Sequence, residues 1–338
     1  MTNLEPWLKR ACARYGIREI PAEGVSNKDS FNRAEHVGER RDDQDLDFVC
    51  VRPFGRLGNN LIQMASALCF AERAGVPEIR HDFAFLEDRF ESDAGVRVVR
   101  SHDPAEGGGQ GLRHLFFYPE YVDALTDAHP GEFCAQFAGP LRRAFRIRPV
   151  IRPSRRVVAH LRGGDIFRTD LPAPPNPNFV QPPLAYYQMA IRAALADGGF
   201  DMVHVVAEDL RNPAVLPLVE WLARGGIPFE FTSTDRDADA ALIMGGDALI
   251  MGYSSFSEIL ALISETISSV TLFRTSQRTG WLQTKFPDLA VIDCGDADYI
   301  EPGRWKCSAE QIGLILDYPE ERLFYRSSGS ETGASQGS

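Results

Sequence analysis

The chain has 338 residues, of which 44% are hydrophobic and 25% charged, a composition ordinary for a globular protein. This length exceeds one average core and suits two α/β domains. The net charge of −11 disfavours a nucleic-acid partner, because an acidic protein gains little from counterion release. Neither a bilayer-spanning apolar run nor a signal-peptide core is apparent, so we expect a cytoplasmic bacterial protein or an excised catalytic domain.

The cysteines and the basic residues both bear on the kind of site to expect. None of the six cysteines forms a C-x-x-C pair or has metal-ligand spacing to a histidine, which indicates a reducing compartment and no metal site. Lysine occurs only four times, so the positive charge is nearly all arginine. Any anion site is therefore expected to be built on guanidinium groups.

The N-terminal part of the chain is predicted to hold an arm and a first domain. Residues 1–45 are interpreted as an N-terminal arm and a charged surface linker, and residues 46–153 as a Rossmann-like domain. In that domain a buried strand at 48–51 and a glycine loop precede a helix over 61–74, which Gly75 ends. Strand, glycine loop and helix form the opening unit of a doubly wound sheet. A glycine-rich break is predicted over 107–111.

The second part of the chain alternates predicted strands and helices, which indicates a parallel sheet with covering helices over residues 154–300. A proline-rich stretch at 171–183 is predicted to be an ordered loop or lid. Residues 301–326 are predicted to be a C-terminal helical segment, and 327–338 a disordered tail. The predicted strands cover 156–161, 201–207, 248–251, 270–273 and 289–292, and the predicted helices cover 186–196, 215–223, 257–264 and 308–316.

The first motif is G-R-L-G-N-N at residues 55–60, between a strand and a helix. Free backbone N–H groups and the helix dipole favour an anion at such a position. The motif has neither the G-x-G-x-x-G spacing of a dinucleotide site nor the G-K-[ST] of a P-loop. A tight turn with asparagine as a helix cap is the alternative interpretation.

The second motif is H-L-R-G-G-D at residues 160–165, directly after a predicted strand. Ligands of open α/β sheets bind beyond the carboxyl ends of the strands, where Arg162 could grip a diphosphate with two hydrogen bonds. His160 lies two residues earlier on the same side of the extended chain. Gly163 and Gly164 would let the backbone approach a ligand closely. A hydrogen-bonded core histidine is the alternative for His160.

The third motif is G-Y-S-S-F-S-E at residues 252–258, again between a predicted strand and a helix. Hydroxyl and N–H groups at a helix start can form a phosphate-binding nest. Plain helix capping by Ser255 or Ser257 is the alternative, and the two interpretations are compatible.

In this order and at this spacing, the three motifs resemble those of the fucosyltransferase superfamily. The resemblance is greatest to the bacterial α-1,2-fucosyltransferases of glycosyltransferase family 11, and it extends to the nodulation α-1,6-fucosyltransferases and the protein O-fucosyltransferases. It covers residues 48–300. It implies a GT-B-like α/β fold, with two Rossmann-like domains facing across a cleft, and an inverting transfer of fucose from GDP-fucose to a glycan hydroxyl. It implies neither a metal nor another cofactor.

The resemblance also implies a role for individual residues. Arg162 would hold the β-phosphate and the departing oxygen, and His160 would contact the nucleotide or the sugar. Asp247 would read guanine, with a turn residue as the alternative. The residues that would line the diphosphate and base are Ser254, Ser255 and Phe256. Those of the first motif that would complete the donor site are Gly55, Arg56, Gly58 and Asn59, with Asn59 near the sugar.

The general base and the donor sugar are left open by the sequence. Asp165 and Asp170 flank the arginine motif and are the candidates for the base, with loop solvation or helix capping as the alternative. Glu208 and Asp209 follow a predicted strand end, as an acidic pair of the site or as loop residues. The sequence departs from family 11 at positions where other residues are usual, namely Gly163, Asn60, Glu258 and Ile259. A donor other than GDP-fucose, and a catalytically silent binding protein, remain alternatives.

The letters D-A-D at residues 237–239 match the pattern of a metal-binding motif. They appear at the start of a predicted helix rather than beside an apolar strand. A capped helix start is therefore favoured over a metal site.

Overall fold

A computed structural model describes residues 6–18, 34–39, 45–103, 107–114, 116, 122–126, 128–170, 175–196, 199–274, 279–294 and 299–326. The chain divides into two compact units, Met1–Ile147 and Arg148–Ser338, a few residues before the boundary predicted at 153/154. Each unit contains one sheet made mostly of parallel strands, so the predicted α/β class with two Rossmann-like domains is confirmed. The predicted disordered tail at 327–338 and residues 171–174 of the proline-rich stretch lie outside the described residues.

Unit 1 contains six strands and four helices among its described residues. The strands are β1 (Glu35–Gly38), β2 (Phe48–Val51), β3 (Glu78–His81), β4 (Arg89–Glu91), β5 (Arg97–Arg100) and β6 (Gln110–His114). The helices are α1 (Pro6–Arg14), α2 (Leu57–Ala74), α3 (Asp123–Thr126) and α4 (Pro130–Ala144).

The sheet of unit 1 has the order β1-β6-β2-β3-β5-β4. The four central strands are parallel, and β1 and β4 close the two edges in antiparallel fashion. Residues 1–45 were predicted to be a separate arm, and this is wrong for Glu35–Gly38, because β1 pairs with β6 along its whole length. The predicted break at 107–111 is also wrong at its end, since Gly111 belongs to β6 and lies against the ring of Phe48.

Helix α2 connects β2 to β3 and packs against both strands and against α4. It begins at Leu57, four residues before the predicted start, and nearly all of its residues are buried. Gly75 follows in the left-handed conformation (φ 71°) and ends the helix as predicted, because glycine has no Cβ that would oppose that backbone.

Unit 2 contains seven strands and six α-helices among its described residues. The strands are β7 (Arg156–Leu161), β8 (Met202–Ala207), β9 (Phe229–Thr232), β10 (Ala248–Met251), β11 (Ser269–Phe273), β12 (Ala290–Cys294) and β13 (Leu323–Tyr325). The helices are α5 (Leu184–Ala196), α6 (Val215–Arg224), α7 (Arg236–Met244), α8 (Ser255–Ile263), α9 (Thr279–Lys285) and α10 (Ala309–Asp317).

The parallel strands of unit 2 lie in the order β9-β8-β7-β10-β11-β12, the 3-2-1-4-5-6 order of the Rossmann fold. Residues 301–326 contain the predicted helix, as α10, and also strand β13, which was not predicted and pairs with β12 in antiparallel fashion. Fully buried side chains of Tyr186, Tyr187 and Trp305 fill the core beside the sheet. The order of the strands reverses between β7 and β10, which is where such folds bind ligands.

Two further properties follow from the described residues. No helix among them is both long and apolar enough to cross a membrane. All six cysteines are free thiols, and five of them are buried.

Candidate functional site

The second and third motifs meet at the carboxyl edge of the sheet of unit 2. In the pairing of β7 with β10, His160 lies opposite Met251. Arg162 and Tyr253 are each two residues further along, on the loops that leave these neighbouring strands. The sheet therefore brings the two motifs together at its topological switch point, although they are about 90 residues apart in sequence.

Arg162 is held at this edge by an aromatic ring and a loop. Its guanidinium carbon lies 4.3 Å from the ring centroid of Phe179, and its side chain is only 12% exposed. The ring of Phe179 in turn lies 6.2 Å from that of Tyr253. The side chain of Asn212 donates a hydrogen bond to the backbone oxygen of Arg162 at 2.9 Å. Phe179 therefore connects the arginine with the loop that follows β10, a role that its proline-rich surroundings do not indicate.

The acidic pair after β8 holds the glycines that follow Arg162. Glu208 Oε2 accepts a hydrogen bond from the N–H of Gly163 at 3.3 Å, and Asp209 Oδ2 accepts one from Gly164 at 3.1 Å. A Cβ atom at Gly163 would overlap the carboxylate of Asp209. The arginine that is usual here in family 11 is thus incompatible with the observed position of Asp209.

A guanidinium that the sequence does not indicate lies beside the same carboxylate. Arg211 Nη1 is 2.6 Å from Asp209 Oδ2, and the Arg211 side chain is 52% exposed. Its position two residues after the acidic pair is the one signal that could have identified it. Arg211 supplies a second positive charge close to the loop of Gly163 and Gly164.

The third motif provides the start of helix α8. Ser254 is the N-cap residue, in place of the expected Ser255 or Ser257, and its side chain makes no capping hydrogen bond. Ser257 instead donates a hydrogen bond from its hydroxyl to the backbone oxygen of Ser254 at 3.3 Å. The first turn of a helix carries N–H groups without intrahelical acceptors and the positive end of the helix dipole. This end of α8 is therefore suited to an anionic group.

His160 lies below this edge in the core. Its side chain is buried, and its ring centroid is 5.7 Å from that of Phe256. Burial, reinforced by the charge of Arg162, lowers the pKa of His160 from 6.5 to about 3, so the ring is neutral at physiological pH. Its Nδ1 atom is buried and has no hydrogen-bond partner among the described residues. His160 can therefore offer a ligand a neutral hydrogen bond and no charge.

The two candidates for the general base differ in their surroundings. Asp165 lies in the 3₁₀ turn Gly164–Phe167, with Oδ1 at 3.8 Å from Arg162 Nη2. Asp170 accepts two hydrogen bonds from Arg168, at 3.0 and 2.8 Å. This pairing lowers the pKa of Asp170 to about 2, which makes its carboxylate a weak base. Asp165 is the better placed of the two for accepting a proton beside Arg162.

Asp247 does not lie with the other predicted donor residues. It immediately precedes β10, and its Oδ2 accepts a hydrogen bond from the backbone N–H of Arg156, the first residue of β7, at 2.8 Å. These atoms are at the amino edge of the sheet, separated from Ser254 by the whole of β10. The proposed guanine contact is therefore corrected: Asp247 ties two parallel strands together at the edge opposite the candidate site.

The D-A-D letters lie at the start of helix α7, as expected. Asp235 is the N-cap and accepts hydrogen bonds from the N–H groups of Asp237 and Ala238. Asp239 is buried, and its Oδ1 is 3.3 Å from the hydroxyl of Thr234. No group of three or more histidine, cysteine, aspartate or glutamate side chains suited to a metal ion occurs among the described residues.

The first motif forms a tight turn at the start of α2 in unit 1. Gly55 adopts a positive φ of 64°, and a Cβ atom there would overlap the amide of Asn59. Arg56 is the N-cap position of α2 but provides no side-chain cap, and Gly58 is buried in the first turn. Asn60 Oδ1 accepts a hydrogen bond from the N–H of Phe54 at 2.7 Å, which closes the turn. Asn60 therefore has a structural role, and Gly55, Arg56 and half-buried Asn59 form the accessible part of the motif.

Comparison with known proteins gives structural likenesses only. No family model matches the chain, and no curated protein matches it. A structure of POFUT1 in complex with GDP is 12% identical over 67% of this chain and 97% of that chain, with a TM-score of 0.38. A mutant of Arabidopsis thaliana FUT1 in complex with GDP is 10% identical over 82% and 76%, with a TM-score of 0.42. E. coli heptosyltransferase WaaC with ADP is 12% identical over 81% and 99%, with a TM-score of 0.39.

These identities are all far below 25% and these TM-scores all below 0.5. They therefore indicate neither a substrate nor the role of any residue in this chain.

Proposed function

We propose that this chain is an inverting glycosyltransferase that transfers fucose from GDP-fucose to a hydroxyl group of a glycan. One observation carries the proposal: Arg162 and the start of helix α8 follow neighbouring parallel strands at the switch point of a Rossmann-ordered sheet. A diphosphate fits both features, because a guanidinium can bind two of its oxygens and a helix N-terminus favours its charge. The three sequence motifs support fucose as the sugar.

Breaking the bond between sugar and phosphate builds negative charge on the leaving GDP. In the proposed mechanism the guanidinium of Arg162 and the N–H groups of Ser255 and Phe256 stabilise that charge, and no metal ion is required. Ser254 and the neutral ring of His160 contact the nucleotide. The exposed ring of Tyr253, backed by Phe179, offers a face on which the base can stack.

The acceptor hydroxyl must lose a proton as the new bond forms. We propose Asp165 as the general base, because Arg168 holds Asp170 and lowers the pKa of Asp170 to about 2. In unit 1, Asn59 is the proposed sugar contact, on the turn that Gly55, Arg56 and Gly58 shape. Asn59→Ala tests this contact, and we expect it to weaken GDP-fucose binding more than GDP binding.

The test is isothermal titration of GDP, and in parallel UDP, into the purified protein with EDTA present. Binding of GDP without binding of UDP supports a metal-independent guanine nucleotide-sugar donor. Transfer of fucose to an array of glycans in the same buffer then tests the activity itself. Binding of neither nucleotide would contradict the proposal and favour a catalytically silent relative.

A second candidate is a transferase of the same fold with a different nucleotide-sugar donor. Two observations favour it. The carboxylate of Asp209 occupies the space of any side chain at position 163, and Asp247 lies at the wrong edge of the sheet to read guanine. Tighter binding of UDP than of GDP in the same titration would support this candidate over fucose transfer.

A further inference from the structure

Unit 1 contains a cavity of about 460 Å³ at the carboxyl ends of β2, β3 and β5. Its volume is in the range of small-molecule sites, and the carboxyl ends of parallel strands are where α/β sheets bind ligands. The residues around it include few apolar side chains. The charged and imidazole groups that matter here are Glu35, Arg52, Arg80, His81, Asp82 and Arg113.

His81, which lines this cavity, has one ring nitrogen that accepts a hydrogen bond and one that carries the proton. The N–H of Phe83 donates a hydrogen bond to His81 Nδ1 at 3.0 Å, so Nδ1 is an acceptor. Burial lowers the pKa of His81 to about 4, which keeps the ring neutral, and a neutral imidazole with an acceptor at Nδ1 carries its proton on Nε2. The side chain is 2% exposed, and Nε2 has no hydrogen-bond partner among the described residues.

An unsatisfied buried donor is costly, by roughly 1–3 kcal/mol, and is therefore uncommon without a purpose. A neighbouring ring does not satisfy it, since Phe83 stacks on His81 with 5.5 Å between the ring centroids. An oxygen atom of a ligand in the cavity would provide the missing acceptor.

The charged side chains around the cavity indicate whether this oxygen atom belongs to an anion or to a neutral hydroxyl group. Three guanidinium groups line it but only two carboxylates, and the carboxylate of Asp82 is already bound by His102 at 2.7 Å. Glu35 is shared, because it forms an ion pair with Arg52 and lies 3.6 Å from Arg113 Nη1. Arg80 is paired with Glu78 outside the lining, so the excess positive charge comes from Arg52 and Arg113, which share the one carboxylate of Glu35. This excess favours an anion over a neutral hydroxyl.

We propose that this cavity binds an oxyanion, either the carboxylate of an acidic sugar or a phosphate, through the Nε2–H of His81 and the guanidinium of Arg113. The inference deepens the proposed function, and rests on it in one respect: in a glycosyltransferase the oxyanion belongs to the acceptor glycan. The acceptor is then an acidic saccharide. Because the cavity and the nucleotide site lie in different units, binding to each can be measured separately.

The test is titration of D-glucuronate, inorganic phosphate and D-glucose into the wild-type chain and the variant His81→Asn. The Oδ1 atom of the asparagine can still accept the hydrogen bond from Phe83, so the variant removes the Nε2–H and keeps the turn. We expect the wild type to bind an oxyanion in preference to glucose, and His81→Asn to bind it about 10-fold more weakly or worse. GDP binding and the melting temperature serve as folding controls and should be unchanged.

Two further variants keep the test decisive if His81→Asn does not fold. Arg113→Gln leaves Glu35 paired with Arg52 and should weaken oxyanion binding by about 10-fold. Arg97→Gln is the matched control, because Arg97 is exposed and contacts Glu78 outside the cavity lining. Whichever of glucuronate and phosphate binds more tightly shows whether the oxyanion is a sugar carboxylate or a phosphate.

Equal binding of glucose and glucuronate, or unchanged binding in both His81→Asn and Arg113→Gln, would overturn the inference. Oxyanion binding without GDP binding would support the inference about the cavity and contradict the proposed function. GDP binding without oxyanion binding would do the reverse.

Discussion

The arginine side chains at the carboxyl edges of the two sheets differ in the contacts that hold them. In unit 1, Arg80 lies within strand β3 and is held on three sides: its Nε is 2.7 Å from Glu78, its Nη2 donates to the backbone oxygen of Gly108, and its guanidinium lies 3.5 Å from the ring centroid of Phe48. In unit 2, Arg162 lies beyond the end of β7 and is 3.8 Å from Asp165. Arg80 is therefore a structural guanidinium, whereas Arg162 is the one proposed to bind a ligand.

The same difference extends to the strands themselves. All residues of β7 and β10 are buried, and the groups proposed to bind the nucleotide follow these strands in loops. In unit 1 the cavity-lining groups Arg80, His81 and Arg113 are themselves members of β3 and β6. Substitutions at the edge of unit 2 should therefore affect function with little effect on folding, whereas removal of the Arg80 guanidinium in unit 1 should affect folding.

The largest effect is expected for Arg162→Ala. Removing a group that stabilises charge in the transition state costs about 10²–10³ in rate, so the transfer of fucose from GDP-fucose should fall by that factor. Arg162→Lys should recover only part of the loss, since an ammonium group cannot bind two phosphate oxygens in the same way. Steady-state kinetics and the affinity for GDP are the measurements.

The comparison with unit 1 provides the contrast for this variant. Arg80→Ala should lower the free energy of unfolding by roughly 3–5 kcal/mol, because it leaves Glu78 buried beside one remaining partner. Arg224→Ala, on an exposed turn of α6, should change neither rate nor stability. Full activity in Arg162→Ala, or a loss of stability in it as large as in Arg80→Ala, would remove the distinction between the two edges.

The next effect separates the two candidate bases within unit 2. Asp165→Asn should lower kcat by about 100-fold, whereas Asp170→Asn should lower it by less than about 10-fold. The reason is that hydrogen bonds from Arg168 lower the pKa of Asp170 to about 2, and a base that weak accepts a proton poorly. A larger loss in Asp170→Asn would reverse the assignment.

How much of the fold the sequence predicts depends on where the polar residues lie. Strands β7 and β10 are predicted with their observed bounds, because β10 is a continuous run of buried apolar residues and β7 is apolar except for Arg156 and His160. The patterns of β3 and β6, E-I-R-H and Q-G-L-R-H, do not predict strands. Arg80 is buried through pairing with Glu78, and half-buried Arg113 lies near Glu35 of the neighbouring strand β1, a partner that a single sequence does not show. The polar residues that obscure the strand pattern of β3 and β6, namely Arg80, His81 and Arg113, also line the cavity.

The candidate site shows the same limit. Three motifs in loops after strands were enough to locate Arg162 and the start of α8. Phe179 and Arg211 were not predicted, because each reaches the site through tertiary packing rather than through a motif. Asp247 was misplaced for a different reason: a residue that directly precedes a parallel strand lies at the amino edge of the sheet, so its position already argued against a place in the site.

A smaller effect concerns the stability of unit 2 at acidic pH. Burial lowers the pKa of His160 to about 3 in the folded chain, against an ordinary value of 6.5, so protonation favours unfolding. Above pH 6.5 this group does not lower the free energy of unfolding. As the pH falls from 6.5 toward 3, the unfolded chain binds a proton that the folded chain does not, and the free energy of unfolding falls. Between pH 7 and pH 5 this one group should account for about 2 kcal/mol of lost stability in unit 2.

The variant His160→Gln tests this, because it cannot titrate. Trp7 lies in unit 1, and the remaining tryptophans lie in unit 2, so fluorescence in a Trp7→Phe background reports on unit 2 alone. Urea unfolding at the two pH values should show a loss about 2 kcal/mol smaller in His160→Gln than in its parent. Equal losses would mean that His160 is not held neutral by the fold.

The last comparison concerns two glycines of unit 2, one in the loop after Arg162 and one inside α10. A Cβ atom at Gly163 would overlap the carboxylate of Asp209, which must then move and release its hydrogen bond from Gly164. Gly163→Ala should therefore destabilise the chain by about 1–3 kcal/mol. It should also weaken GDP binding, because the loop after Arg162 shifts with Asp209.

Gly313 lies inside α10 with no atom within 4 Å of an added Cβ. Gly313→Ala should therefore stabilise the chain by about 0.5–1 kcal/mol and leave GDP binding unchanged. Thermal unfolding and GDP titration of both variants measure the difference. If Gly163→Ala bound GDP as tightly as Gly313→Ala, the loop held by Glu208 and Asp209 would be a structural turn only, and the phosphate contacts would have to come from Arg162 and α8 alone.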